Sequence, residues 1–222
     1  MASDLAPAGG LSLAEMPVGS MGGYSRGVRT YYTWVERAPA ALRLHVKAGL
    51  IYASRGDAKI ALYAAARPEP VARAAVAPDK QERAVTLKTP LAGLHRIEVS
   101  DAAAGTTVRW AEGVPMTVRS SPETPAAFGG RWSLCFYVPR GTKVIGGYAS
   151  GPGALLDPAG QKAYTFPRKA DYFRVPVPAG QDGKLWRFDR CAGQRLLMTV
   201  PPCLARSGRE LLLPAEVVRG DR

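Results

Sequence analysis

At 222 residues the chain is long enough for one large β domain or two of roughly 100 residues each, and either buries a core without a metal or a disulfide. Its 46% apolar content lies in short pieces, none near the roughly 20 apolar residues of a membrane-spanning helix, so a soluble protein without a membrane partner is expected. The formal charge of +12, carried by 22 Arg and 8 Lys, would attract phosphate, sulfate or carboxylate polymers over a Debye length. The basic residues are nonetheless scattered singly in a chain also rich in Ala, Gly and Pro, so coding bias and a functional basic surface both stand as its origin.

In chain order, residues 1–23 are rich in Gly, Ala and Met and read as a mobile or loosely packed lead-in. Met1–Gly10 lacks the basic start and apolar core of a secretory signal, and the abrupt MASDL fits a piece of a longer secreted protein somewhat better than a cytosolic one. Residues 24–118 form the first unit. YYTWVE (31–36) and LRLHVK (42–47) alternate, with Leu42, Leu44 and Val46 on one face and Arg43, His45 and Lys47 on the other, and RAPAA between them suggests a hairpin with one wet face. KIALYA, RAVTLK, HRIEV and TTVRW follow as strand candidates, each bounded by Gly, Pro or Asp turn signals, and this regular spacing points to a sandwich.

Residues 119–130 have the composition of a linker. The pattern then begins again over residues 131–222: RWSLCFYV places Trp132, Leu134, Phe136 and Val138 on one face, PRGT turns into KVIGGYAS, and strands follow near 162–166, 172–177, 184–189 and 195–200. ELLLPAEVV docks back as a strand or apolar tail. YYTWVERAPAALRLHVKAG and RWSLCFYVPRGTKVIGGYASG share an aromatic strand, a Pro-containing turn and a return strand; GLHRIEVSDAAAGTTVRW and DYFRVPVPAGQDGKLWRF share a polar Gly turn and a strand closing on Trp110 or Trp186. An internal duplication is therefore expected. Gln181-Asp182-Gly183 takes the place of DAAAG and reads as a hairpin turn in which Asp bonds the following backbone and Gly takes positive φ, with Trp186 facing a core. The expected fold class is all-β, with two tandem antiparallel β-sandwich, jelly-roll-like domains.

Cys135, Cys191 and Cys203 form no CxxC and have no His nearby, which argues against zinc; Cys135 reads as a small buried strand residue, and Cys191 and Cys203, flanking a hairpin at GQRLLMTVPP, would be able to pair in an oxidising compartment. Tyr31–Trp110 resembles bacterial pre-peptidase C-terminal modules. The second unit, through FYVPRGT, ASGPGALLDPAG, VPVPAGQDGKLWRF and TVPPCLARSGRELLLPAEVV, resembles the carbohydrate-binding-module-like β-sandwiches of secreted multidomain bacterial carbohydrate-active enzymes. That resemblance implies an extracellular or periplasmic accessory role, beside the catalytic domain of a longer polypeptide or holding it on a polysaccharide.

Sugar recognition needs an aromatic face against C–H surfaces and planar polar groups for ring hydroxyls. The candidate ligand-binding residues are Trp34 and Tyr32, which share a strand face with Glu36, together with Tyr63, Tyr148, Tyr164 and Tyr172; Arg168, Lys169 and Arg174 suit a sulfated or uronic acid glycan. A buried Trp34 and a merely solvated basic face are the alternatives. No catalytic residue is expected: His45 and His95 are the only histidines, no GxSxG, HExxH or P-loop occurs, and Glu98, Asp101, Asp182 and Asp189 read as solvated or turn-forming. No cofactor is expected; structural calcium at the turn residues Asp57, Asp101 or Asp182 has no DxDxDG-like cluster behind it. Nucleic acid is not the expected partner, since no basic helix, RNP strand or zinc finger is legible in the sequence. Two other readings compete with a carbohydrate-binding module: a structural or protein-interaction spacer, favoured by a contiguous apolar patch, and an enzyme with an unfamiliar site, which would need a deep polar cleft.

Overall fold

The computed structural model describes residues 4–65 and 67–222 and is all-β in character, with antiparallel pairing along its main ladders. It divides into two compact units, one built on Tyr24–Met116 and the other on Ala6–Gly23 together with Thr117–Arg222. The first strand of the chain is the short β1 (Leu5–Pro7), which pairs with a strand near the C-terminus.

The first unit holds β2 (Val28–Val35), β3 (Ala40–Ala48), β4 (Ala58–Ala64), β5 (Ala72–Val76), β6 (Glu82–Thr89), β7 (Gly93–Ser100) and β8 (Thr106–Arg109). β2, β7, β4 and β5 lie side by side in that order, and β6, β3 and β8 form a second sheet. Strict alternation makes the core: Tyr31, Ile60, Leu62, Ile97 and Val99 point inward from one sheet, Leu44, Val46, Val85 and Leu87 from the other. Tyr31 and Trp110 meet edge to face, with centroids 5.8 Å apart. Burying about ten such side chains, each contributing about 2 kcal/mol, is the main force that closes the sandwich.

The alternation of LRLHVK holds, but the hairpin does not. β2 pairs with β7 while β3 pairs with β6 and β8, so Glu36–Pro39 crosses from one sheet to the other. A short Pro-containing connection fits a sandwich corner as well as a hairpin, and the inward apolar pattern is the same in both. The DAAAG turn is organised by Asp101. Its Oδ1 accepts from the Gly27 and Ala103 amides at 2.7 and 2.9 Å, and its Oδ2 from the Gly105 amide and Thr106 hydroxyl at 2.8 and 2.9 Å. The four donors occupy the carboxylate's lone pairs, which leaves Asp101 committed to the turn rather than to a cation. His95, fully buried, donates from Nδ1 to the Gly93 carbonyl at 3.0 Å, and its Nε2 lies 2.8 Å from Thr89 Oγ1, which makes it a structural imidazole.

The second unit contains β9 (Met116–Arg119), β10 (Ala126–Ala127), β11 (Trp132–Val138), β12 (Val144–Ala149), β13 (Gly153–Leu156), β14 (Lys162–Phe166), β15 (Asp171–Pro176), β16 (Lys184–Cys191), β17 (Gln194–Leu197), β18 (Cys203–Leu204), β19 (Leu212–Pro214) and the short helix α1 (Ala215–Gly220). One sheet runs β10-β17-β12-β15 and the other β11-β16-β13-β14. Phe166 and Phe173, from opposite sheets, meet edge to face at 5.1 Å, and Phe188 packs on Phe136 at 4.9 Å. Every residue of β11 is buried. Trp132 and Phe136 face this aromatic core, while outward side chains of β11 and β16 meet the unit's own chain: the Tyr137 hydroxyl donates to Asp221 at 2.9 Å, the Cys135 thiol to the Ala205 carbonyl at 3.3 Å and Arg187 to the Pro17 carbonyl at 2.6 Å; Ser20 and Ala205 pair with the edge of β11.

Residues 6–23, expected to be a loose lead-in, thus pack within the second unit. The Gly19 amide donates to the Arg206 carbonyl at 2.7 Å, and Ala8 and Leu11 are buried. Residues 119–130, expected to be a linker, hold β10 and the buried Ser120, whose hydroxyl donates to the Arg195 carbonyl at 2.7 Å. ELLLPAEVV supplies β19 and α1, with Leu211, Leu212 and Leu213 buried.

The sheet order β2-β7-β4-β5 becomes β11-β16-β13-β14 when nine is added to each strand number, and β6-β3-β8 becomes β15-β12-β17. The turn at Gln181-Asp182-Gly183 joins β15 to β16 and so crosses between sheets, which corrects the hairpin reading. The positive φ of Gly183 and the burial of Trp186 are nevertheless as expected, whereas Asp182 accepts from a distant turn rather than from the backbone that follows it. Gly183 has φ +67°, its amide donates to the Val138 carbonyl at 2.8 Å, Asp182 accepts from the Gly141 amide at 2.6 Å, and the fully buried Trp186 donates from Nε1 to the Gln181 carbonyl at 2.9 Å. Likewise β16 and β17 belong to different sheets, and Cys135, Cys191 and Cys203 are buried free thiols with no disulfide.

Candidate functional site

In the second unit, the tail and residues 6–23 cover the outside of the β11-containing sheet and leave the outside of β10-β17-β12-β15 as the open sheet face. Inward side chains there are Ile145, Phe173, Val175 and Leu197; period-2 alternation then sends Tyr148, Tyr172, Arg174, Leu196 and Met198 outward. Backbone register sets them in two rows. Tyr172, Tyr148 and Leu196 are direct cross-strand neighbours on β15, β12 and β17. The second row is Arg174, Gly146 and Met198, since Arg174 pairs with Gly146 and the Met198 amide donates to the Gly146 carbonyl at 2.9 Å.

Tyr172 is 72% exposed and Met198 60% exposed. The rings of Tyr148 and Tyr172 stand edge to face, centroids 5.6 Å apart, so each fixes the other's orientation while their outer surfaces remain wet. Arg174, Arg168 and Lys169 are exposed, and among the described residues none of them enters an ion pair. An exposed aromatic pair, two thioether or aliphatic groups and an uncompensated guanidinium on a flat sheet can stack on the C–H face of a pyranose and bond its oxygens.

The remaining expected residues lie elsewhere. Tyr164 sits at the core's rim, 5.1 Å from Phe166 and 6.3 Å from Phe173 between centroids. In the first unit, Tyr32 and Trp34 are half-buried on the outer face of β2, and Glu36 beyond them is exposed. Tyr32 and Tyr63 are both cross-strand neighbours of Arg96, whose guanidinium lies 4.2 Å from the Tyr63 centroid and 4.0 Å from Glu98. Tyr63 is thus occupied by an internal cation. The corresponding open face of β6-β3-β8 carries Arg43, His45, Lys47, Glu82 and Arg109, with Glu82 paired to Arg109 and 3.7 Å from His45. A shallow cavity of about 520 Å³ in this unit is lined by Pro39, Ala40, Ala41, Val71, Lys88, Thr89 and Pro90, an apolar set with no acid or base beside Lys88. Among the described residues no three His, Cys, Asp or Glu side chains converge as a metal set.

Sequence reasoning missed Gly146, Leu196 and Met198, and also Arg96. The alternation of HRIEV already sends Arg96 outward, and RLLMTV sends Leu196 and Met198 to one face once the inward position of Leu197 is known. Comparison of the chain with protein-family models, with curated proteins and with solved structures gave no match.

Proposed function

We propose that the chain is a non-catalytic carbohydrate-binding or accessory module of a larger secreted polysaccharide-degrading enzyme, and that it binds glycan on the open β15-β12-β17 face. The observation that carries this reading is the exposed Tyr172 held edge-on to Tyr148 beside the unpaired Arg174. A solvent-facing tyrosine pair of fixed geometry costs little ordering entropy on binding and offers a rigid stacking surface.

The reading includes a fold-level claim. Numbering β10 to β17 as 1 to 8 gives facing sheets 1-8-3-6 and 2-7-4-5, the strand order of a jelly roll with its two Greek keys. The first unit supports the same plan with its first strand reduced to the Ser25–Thr106 bridge. A tandem jelly-roll pair arising by duplication accounts for the shift of nine in strand number.

The test is affinity electrophoresis against neutral and acidic polysaccharides, repeated at high salt. Retardation that survives salt supports stacking recognition, and retardation by acidic polymers that vanishes with salt reduces the effect to charge. No retardation by any glycan would favour a structural or protein-interaction spacer.

A further inference from the structure

The glycan-binding reading leaves the sugar open, and the second row of the same face narrows it. We infer that this face selects an acidic glycan, with a uronate carboxylate bound by the exposed Arg174 while the adjoining sugar stacks on the Tyr148–Tyr172 pair. The inference rests on the proposed glycan-binding role and adds the ligand's charge and its register.

Arg174 lies two residues from Tyr172 on β15, so the two project from the same face about 7 Å apart. That separation lets one sugar lie on the tyrosines while the acid group of the same or the next residue meets the guanidinium. Its direct cross-strand neighbour is Gly146, which is buried and covered by Thr199, whose methyl stands 3.1 Å from where a Cβ would lie. The Gly146 backbone is already satisfied: its amide donates to Thr199 Oγ1 at 2.7 Å, and its carbonyl accepts from the Met198 amide. The backbone beside Arg174 therefore asks for no further hydrogen bond, while Arg174 itself offers a planar fork matched to a carboxylate. No outward acid stands in either row: the neighbours in register are Tyr172, Tyr148, Leu196, Gly146 and Met198. Arg168 and Lys169, exposed in the loop between β14 and β15, extend the positive field beyond Tyr172. The nearest carboxylate in sequence, Asp171, accepts its own neighbour's amide, Tyr172 N, at 2.8 Å. A neutral sugar would leave this guanidinium without an anionic partner.

The experiment is isothermal titration of the full chain with oligogalacturonate and with the neutral galactan oligomer of the same length, at low and at moderate salt, for the wild type, Arg174→Gln and Tyr172→Ala. The expected result is binding of the uronate at least tenfold tighter than the galactan, with the preference lost in Arg174→Gln and all affinity lost in Tyr172→Ala. Arg174→Gln removes charge from an exposed side chain and keeps the readout independent of folding. Equal binding of both oligomers, unchanged in Arg174→Gln, would overturn the selectivity and leave the glycan-binding reading standing. Binding of the uronate that persists in Tyr172→Ala and disappears with salt would also overturn it, as charge alone. Absence of binding to both would overturn the glycan-binding reading itself.

Discussion

The guanidinium of Arg195 lies 4.3 Å from the centroid of the Phe166 ring, wholly out of solvent. Five carbonyl oxygens hold it: Nη1 donates to Ser150, Ala192 and Gln194 at 2.7 to 3.1 Å, and Nη2 to Gly151 and Pro152 at 2.9 and 3.2 Å. Burial lowers its pKa from the usual arginine value, and the stacked ring and converging carbonyl dipoles keep the charge tolerable. This one side chain ties the SGPG turn before β13 to the turn before β17.

Arg195→Ala is expected to cost the second unit about 3 kcal/mol, since it empties a core position and orphans buried carbonyls. Arg195→Lys is expected to recover less than half of that, because a single ammonium cannot span the fork. Urea denaturation followed by Trp fluorescence measures both.

Asp101 should prove as important to the first unit. Asp101→Ala leaves the Gly27, Ala103 and Gly105 amides and the Thr106 hydroxyl without their acceptor. The expected loss is about 3 kcal/mol, with Asp101→Asn intermediate. Thermal melts with and without added calcium should coincide for the wild type.

Two glycines separate the cost of positive φ from that of steric overlap. At Gly183, φ is +67° and an added Cβ meets the flexible Arg140 side chain at 2.9 Å; at Gly193, φ is +72° and the Cβ falls 1.9 Å from the Ser150 carbonyl oxygen. Gly183→Val is expected to destabilise by about 1–2 kcal/mol. Gly193→Val has to move backbone and is expected to lower the melting temperature much further.

Alkaline pH should weaken the fold through its thiols. Burial pushes Cys135 and Cys203 from the ordinary value of 9.0 up to about 12, and it raises Tyr31 and Tyr137 as well. The unfolded thiols ionise from about pH 9 while the folded ones stay protonated, so their contribution is full below pH 9 and is lost as pH rises toward 12. The urea midpoint is expected to fall between pH 8.5 and 11, less steeply in a Cys135→Ala/Cys203→Ala variant. A thiol reagent at pH 8 should find no reactive cysteine until the chain is denatured.

The strands were legible in the sequence and their partners were not. LRLHVK and RWSLCFYV declare which side chains face a core, because burial of a sheet face imposes period 2. They do not declare which sheet the next strand joins, since both sheets of a sandwich present the same inward apolar pattern and a Pro or Gly turn of four to seven residues serves either. The face of Tyr148, Tyr172 and Arg174 was legible only as separate residue types. Their assembly depends on the register of β12 with β15, and on the tail covering the opposite sheet rather than this one. Arg195 carried no signal at all, because a single Arg between Gln and Leu reads as a solvated strand residue.

The central claim is that the Tyr172–Tyr148 pair binds glycan by stacking, and affinity electrophoresis of the wild type beside Tyr148→Ala/Tyr172→Ala at moderate salt tests it most directly. The account predicts retardation of the wild type by a polysaccharide gel and free migration of the double variant, with a thermal melt of the double variant checking that it is folded, since Tyr172 is exposed and Tyr148 half-buried. Equal migration of the two proteins, whether both retarded or both free, would contradict it.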